Sequence, residues 1–318
     1  MMIEVLKPGA LSSFQDLGRS GYQHQGIPVC GVMDERAHRL ACMLVGNGAG
    51  EATLEVTLIG PALQFHCPAI IAVCGADLGA TIGARALPLA RPVAVAAGEQ
   101  LCFGKRVSGL RAYLAVAGGY ALQPVLGSTS TYLRGGFGGA QGRALQKGDW
   151  IALRQTQKTA VPAPKARLPL FPGDIQRPPG APLRIVPGRE WAAFAPRARQ
   201  AMSTQTFRVS PRSDRMGYRL EGPALHLSQP LELASEAVSF GSIQVPPDGL
   251  PIVLMADRQT TGGYPRIANL ATVDLPLLAQ TMAGESLRFE WVTLGQAQRL
   301  ASAQSAVFNQ MEAGHGQH

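Results

Sequence analysis

The sequence predicts a mainly β protein made of two related β units, with only a few short helices. Three observations carry that expectation. The first is composition: Gly (37) and Pro (24) make up about a fifth of the 318 residues, far above ordinary usage, which favours many short strands and turns. The second is internal repetition. "EVLKPG" (Glu4–Gly9) returns as "RIVPG" (Arg184–Gly188), "TLIGPALQF" (Thr57–Phe65) as "RLEGPALHL" (Arg219–Leu227), and "GEQLCF" (Gly98–Phe103) as "GESLRF" (Gly284–Phe289). Each alternates apolar and polar residues around a Gly or Pro, as a half-buried strand beside a turn does. Short β fragments recur by chance, but the preserved order favours an internal duplication. The third is the stretch Arg154–Pro182 between the two sets, with seven prolines and no periodicity. Proline lacks the donor a strand ladder needs, so this reads as a surface linker.

The expected organisation is a first unit over 1–153, the linker over 154–182, a second unit over 183–293 and a tail over 294–318. Three helices interrupt the β pattern. "MDERAHRLACMLVGN" (Met33–Asn47) has apolar residues at helical spacing, Asp34 as N-cap and a Gly-Asn-Gly stop. "REWAAFAPRARQAM" (Arg189–Met202) is the second. "TVDLPLLAQTMAG" (Thr272–Gly284) is a short third, with Pro276 in its first turn. "LPIVLM" (Leu250–Met255) reads as a buried strand. The final "EAGHGQH", with His315 and His318, reads as a frayed tail.

Composition narrows the function. Hydrophobic residues make up 46% and charged residues 16%, which argues against disorder and suggests that a partner covers part of the surface. The net charge of +8 invites an acidic ligand, yet the basic residues are scattered singly and aromatics are only 6%, which argues against nucleic acid. The five cysteines, Cys30, Cys42, Cys67, Cys74 and Cys102, form no C-x-x-C pair and are odd in number. That argues against a disulfide framework or structural zinc. No leader or membrane span is expected, which places the chain in the reducing cytoplasm.

Polar residues gather at four turns. "SSFQDLGRSGYQHQGIPVCGVMD" (Ser12–Asp34) holds Gln15, Asp16 and Arg19; Asp16 and Arg19 could pair to fix the loop, and Asp34 is better read as a helix cap. "GSTSTYLRGGFGGAQGRALQKGD" (Gly127–Asp149) is glycine-rich, and bare N–H groups can cradle an anion, but it lacks the Lys-Ser/Thr ending of a P-loop. It reads equally as a loop that orders on a ligand or as a turn with no special role. "GNGAGE" (Gly46–Glu51) also misses the dinucleotide pattern. "SPRSDRMGYRLEG" (Ser210–Gly222) places Arg215 before a Gly turn, where its planar fork could hold a carboxylate or phosphate, or pair with Asp214. Last, "ADRQTTGGYP" (Ala256–Pro265) follows the apolar strand with more hydrogen-bonding groups than a turn requires. Such a run suits a loop that faces a polar, planar ligand such as an amide.

Taken together, "FQDLGRSGYQHQGIPVCGVMD", "RLACMLVGN", "LEVTLIGPAL", "AVAGGY…VLGSTST", "LQKGD", "SDRMGYRLEGPAL" and "FGSIQVPPDGLPIVLMADRQTTGGYPRIANLATVDLPLLAQ" resemble the biotin-dependent carboxyltransferase, or allophanate hydrolase subunit 2, family. Its best-known bacterial members are the C subunits of 5-oxoprolinases. The resemblance runs from about Ile3 to Phe289. It implies two cyclophilin-like β-barrels, a B subunit partner of similar β architecture and an A subunit of separate fold, together cleaving 5-oxoproline to L-glutamate with ATP hydrolysis. Carried onto the matching motif positions, it implies substrate contacts from Gln15, Asp16, Arg19, Asp34, Ser128, Ser130, Arg215, Gln244, Asp257, Arg258, Gln259, Thr260, Thr261 and Tyr264, and it names no catalytic group or metal. The sequence departs from the family at Cys42, where Asn is usual, and at "CGVMD", where "SGAMD" is usual; a free Cys is most often a small buried residue.

Two further readings follow from the same resemblance. Homologous domains of urea carboxylase transfer a carboxyl group from biotin, but this chain has no Ala-Met-Lys-Met-like turn, so biotin would have to arrive on another polypeptide. Other relatives pair with an inhibitor of a sensor kinase, which implies a regulatory binding protein. In the 5-oxoprolinase reading ATP is used by the complex, at a site the sequence does not place on this chain. The chain alone is then expected to be inert.

Overall fold

A computed structural model describes residues 1–154, 171–173 and 175–313. The protein is mainly β, and it divides into two compact units. The first comprises Met1–Arg19, Cys30–Leu170 and Phe308–His318, and the second Ser20–Val29 and Phe171–Val307.

The strands of the first unit are β1 (Met2–Lys7), β2 (Leu11–Gln15), β3 (Thr53–Thr57), β4 (Ala62–Phe65), β5 (Ala69–Asp77), β6 (Thr81–Ile82), β7 (Arg85–Ala86), β8 (Val93–Val95), β9 (Gln100–Cys102), β10 (Ser108–Val116) and β11 (Trp150–Ala152). They form two antiparallel sheets, β11-β1-β4-β9-β6-β7 and β2-β3-β10-β5-β8. One core joins them: Ile3 and Val5 from β1, Leu54 and Val56 from β3, Leu63 and Phe65 from β4, Leu114 and Val116 from β10. Each such side chain stabilises the fold by about 1.5–3 kcal/mol relative to exposure. Strand alternation sends the intervening residues to the opposite face. There Tyr113 and Ala115 meet helix α1 (Glu35–Leu44), which contributes Ala37 and Ala41. Asp34 caps α1, its side chain accepting from the Ala37 N–H at 3.0 Å.

In the second unit the strands are β12 (Leu183–Pro187), β13 (Phe207–Val209), β14 (Gly217–Glu221), β15 (Glu236–Ala237), β16 (Ser242–Gln244), β17 (Ile252–Leu254), β18 (Thr261–Gly262), β19 (Arg266–Leu270), β20 (Ser286–Leu287) and β21 (Phe289–Trp291). Eight of them form one sheet, β20-β13-β14-β17-β16-β19-β12-β21. Its two end strands, β20 and β21, are separated in the chain only by Arg288, so the sheet curls into a nearly closed barrel. β15 and β18 pair separately. The helices are α2 (Pro196–Thr204), α3 (Leu275–Ala279), with Pro276 in its first turn, and α4 (Leu294–Ala313), which belongs to this unit as far as Val307.

Both units share a strand order. In β2-β3-β10-β5 and in β13-β14-β17-β16, the last strand in sequence lies between the second and the third, all antiparallel. The sequence matches fall on this pattern only in part. "GPAL" at 60–63 runs into β4, whereas "GPAL" at 222–225 is irregular and reaches only the bridge between Leu227 and Phe194.

Two expectations need correction. Much of the proline-rich stretch, 155–170 and 174, lies outside the described residues, but the second unit already begins at Phe171. Ile175 is fully buried against Ala271 and Val273, with Ala297 and Leu300 of α4 beside them, so this end of the stretch is core rather than surface linker. The stretch read as a tail is in fact α4, whose Val307, Phe308 and Met311 are buried; His315 and His318 lie outside the described residues. Among the described residues no helix is long and apolar enough to cross a membrane.

Candidate functional site

β2 ends at Gln15, and the chain then turns so that Asp16 meets the segment Ser128–Thr131. Asp16 Oδ1 accepts from the Gly18 N–H (2.8 Å), Ser128 Oγ (2.6 Å) and Ser130 Oγ (2.5 Å). Oδ2 accepts from the Thr129 N–H (2.6 Å) and Thr129 Oγ1 (3.0 Å). Burial alone would raise the carboxyl pKa, but the bonds from Ser128, Ser130, Gly18 and Thr129 outweigh it and hold the group below its ordinary value. Five donors leave this carboxylate no capacity to act as a base, so it anchors the loop.

The expected alternative pairing of Asp16 with Arg19 does not form. Arg19 instead reaches the carbonyls of Val125 (Nε, 3.5 Å) and Ser130, with its guanidinium 5.0 Å from the Phe137 ring centroid. Gln15 Nε2 donates to Ser13 Oγ (3.0 Å) and to the Thr131 carbonyl (3.1 Å), leaving its buried Oε1 without a partner. Asp34 is buried as well, and its N–H donates to Tyr113 Oη (2.8 Å), which donates to Glu55 (2.9 Å).

In the second unit, Arg215 does not pair with Asp214. It makes a two-pronged bond to Asp257, Nε to Oδ2 and Nη2 to Oδ1, both 2.9 Å and buried. Asp214 accepts from the N–H groups of Met216 and Gly217 instead. Asp274 is engaged by Arg184, at 2.9 and 2.6 Å. The strand β17 therefore ends in a fixed ion pair, and the loop turns outward beyond it. Arg258 is half-buried, with Nη1 3.4 Å from the Met255 carbonyl and its guanidinium 5.6 Å from the Phe240 ring centroid. Gln259 and Thr261 are exposed, Thr260 is half-buried, and Tyr264 is 45% exposed. Gln244 is buried and donates to the Tyr264 carbonyl at 3.3 Å; a Cβ on Gly262 would stand 2.5 Å from the same amide nitrogen. Thr261 and Gly262 form β18 against β15. Glu236 of β15 is bound by Arg266 (2.9 Å), which also forks onto Glu190.

The predicted residues thus separate into two clusters. Gln15, Asp16, Arg19, Asp34, Ser128 and Ser130 belong to the first unit, and all are buried. Arg215, Gln244, Asp257, Arg258, Gln259, Thr260, Thr261 and Tyr264 belong to the second, and only Gln259, Thr261 and Tyr264 are exposed. A cavity of about 510 Å³ opens beside α1, lined by Leu17, Arg39, Met43, Phe308 and Met311 among others, and none of the predicted residues lines it.

Comparison with known proteins identifies the lineage. Residues 25–291 match the family described as carboxyltransferase domain, subdomain A and B. The chain belongs to this carboxyltransferase family. It is 39% identical to the C subunit of the Haemophilus influenzae 5-oxoprolinase over 94% of both chains. With the C subunit of the Escherichia coli 5-oxoprolinase it shares 36% identity, over 98% of this chain and 97% of the relative. Among solved structures, the Kluyveromyces lactis urea amidolyase superposes on 98% of this chain with a TM-score of 0.88 and 30% identity, and this chain spans 20% of that one.

The glycine content of 127–149 invites a phosphate reading, and the geometry assigns these glycines otherwise. A Cβ on Gly138 would overlap the Ser130 carbonyl, one on Gly139 the Thr131 hydroxyl, and one on Gly142 the backbone of Gly136. These bare faces are filled by the chain itself, which packs the loop onto the segment that holds Asp16. Cys42 is buried; its thiol donates to the Glu51 carbonyl at 3.5 Å, and burial pushes its pKa up to about 12, as a small core residue requires. Among the described residues no His, Cys, Asp and Glu cluster could hold a metal. Sequence reading passed over Thr129, Glu55, Tyr113, Glu190 and Arg266. Thr129 lay in a quoted motif, but partners 22 to 113 positions away leave no local signal.

Proposed function

We propose that this chain is the C subunit of an ATP-dependent 5-oxoprolinase, a hydrolase that opens 5-oxo-L-proline to L-glutamate in the cytoplasm and acts only together with B and A subunits. One observation carries the reading: two 5-oxoprolinase C subunits align with this chain over 94% and 97% of their own length. An unstrained lactam resists water because its nitrogen lone pair is delocalised into the carbonyl. Phosphorylation of the lactam oxygen by ATP removes that protection. Water then adds to the ring carbon, the C–N bond breaks, the nitrogen takes a proton, and loss of phosphate to a second water leaves the γ-carboxylate. In this scheme the chain positions substrate and stabilises charge. Its exposed groups, Gln259, Thr261 and Tyr264, can both donate and accept hydrogen bonds, which suits an amide. The complex would use ATP, and the glycine-rich loop of this chain does not offer the site, since its glycine faces are filled by the chain itself.

The alternative is the carboxyltransferase part of a biotin-dependent urea carboxylase, favoured by the TM-score of 0.88 to a urea amidolyase. Biotin would then arrive on another chain. Reconstitution separates the two. The chain with its B and A partners should form glutamate from 5-oxoproline only when ATP is present, and should consume no carboxybiotin with urea. Urea-dependent consumption of carboxybiotin without glutamate formation would replace the first reading by the second.

A further inference from the structure

Four arginine side chains are buried among the described residues: Arg19, Arg111, Arg184 and Arg215. Three of them face a carboxylate. Arg184 and Arg215 grip Asp274 and Asp257, and Arg111 lies 3.8 Å from Glu55. Arg19 is the exception. It is 1% exposed, no described carboxylate lies within ion-pairing distance, and its buried Nη1 has no hydrogen-bond partner. A guanidinium cannot shed its proton to escape burial, so a buried one calls for an anion. Asp16, three residues before it, is saturated by five donors. Two carbonyls and the face of Phe137 give only partial compensation.

A second observation points to the same place. The turn that supplies the Val125 carbonyl closes through Leu126 and Gly127, both with positive φ (53° and 76°). For leucine that conformation is strained, and its side chain is left 38% exposed. Backbone strain of this kind gathers where a ligand is gripped.

We propose that Arg19 anchors the carboxylate of a small ligand, which enters the first unit by displacing the Phe137 ring. Phe137 is half-buried and follows an exposed tip, Arg134–Gly136, so its displacement leaves the β core untouched. The carboxylate takes the Nη1 donor that the chain itself leaves unused. The choice of 5-oxoproline as that ligand rests on the function proposed above; the anion site rests on the geometry alone.

The test is a thermal-shift and calorimetric titration of the full chain, without ATP or partner subunits. Four probes are used at matched ionic strength: 5-oxo-L-proline, 2-pyrrolidinone (the same ring without the carboxylate), acetate and inorganic phosphate. The expected result is a raised midpoint with 5-oxoproline and none with 2-pyrrolidinone or phosphate. Arg19→Met should lose that response while its ligand-free midpoint is equal to or above that of the parent, because an unpaired buried charge has been removed. Arg19→Lys should recover only part of the response, since a single ammonium cannot keep the Val125 and Ser130 carbonyls and also place a donor where Nη1 stands. A response to acetate but not to 5-oxoproline would keep the Arg19 site and refute 5-oxoproline as its ligand. Equal responses to the two ring compounds, a response to phosphate alone, or no response to any carboxylate would overturn the proposal. An Arg19→Met chain that fails to fold, or melts several degrees lower, would make the arginine structural and overturn it as well.

Discussion

Asp16 shows how a charged residue in a predicted site can be spent on architecture. Its folded-state carboxyl holds a proton less tightly than the unfolded one, so protonation favours unfolding. The stabilisation is full above the unfolded value of about 3.9 and is lost as the pH falls through the lower folded value. The midpoint of the chain should therefore fall steeply below about pH 4, and Asp16→Asn should flatten that acid limb; an unchanged acid limb would remove Asp16 from the account. Arg215 and Asp257 make a parallel case in the second unit. Asp257→Asn leaves a buried guanidinium without its partner and should destabilise by about 3–5 kcal/mol in urea unfolding. Arg258, one residue on, should behave in the opposite way. It is only half-buried, and its guanidinium lies by the Val238 and Met255 carbonyls and the Phe240 ring. In the reconstituted complex Arg258→Ala should lower turnover tenfold or more, about 1.4 kcal/mol, with a stability change of at most about 1 kcal/mol. Activity surviving at low temperature with a collapsed midpoint would make Arg258 structural.

At the scale of elements, the sequence was most legible where local rules suffice. Asp34 caps α1 as its position before the apolar stripe indicates, and Pro276 sits in the first turn of α3. α4 escaped because much of its length is Ala, Gln and Ser; the helical spacing of Leu300, Gln304, Val307 and Met311 is present, but only three of these are apolar. Its last turns are nevertheless held. Phe308 lies under the Arg39 guanidinium at 4.6 Å, and Arg39 pairs with Glu312 at 2.5 Å. Phe308→Ala should destabilise by about 3–5 kcal/mol, and the loss should appear as a lowered urea midpoint. The glycine-rich loop was legible as a loop but not as a packed one, because what fills the faces of Gly138 and Gly142 comes from the turns around Ser130 and Gly136, not from the glycines' own neighbours. Gly138→Ala should therefore disrupt the Ser128–Thr131 segment, detectable as faster amide exchange there.

For the whole molecule, the fold class and the lineage could be read from residues, whereas the partners of each buried charge could not. The Asp16 cluster joins positions more than 110 apart, and the Asp257 pair spans 42, so no periodicity records them. The proposed function belongs to an assembly. Few charges and a run of exposed polar groups after β17 are what a subunit with a partner-facing surface shows. The most direct measurement is a titration of this chain into fixed amounts of its A and B partners with 5-oxo-L-proline and ATP, following L-glutamate. No glutamate should form without the chain, and the rate should rise with added chain and then saturate at a fixed stoichiometry. Full glutamate formation without the chain would contradict the proposed function. So would none at any ratio with partners that are active alongside the Escherichia coli relative.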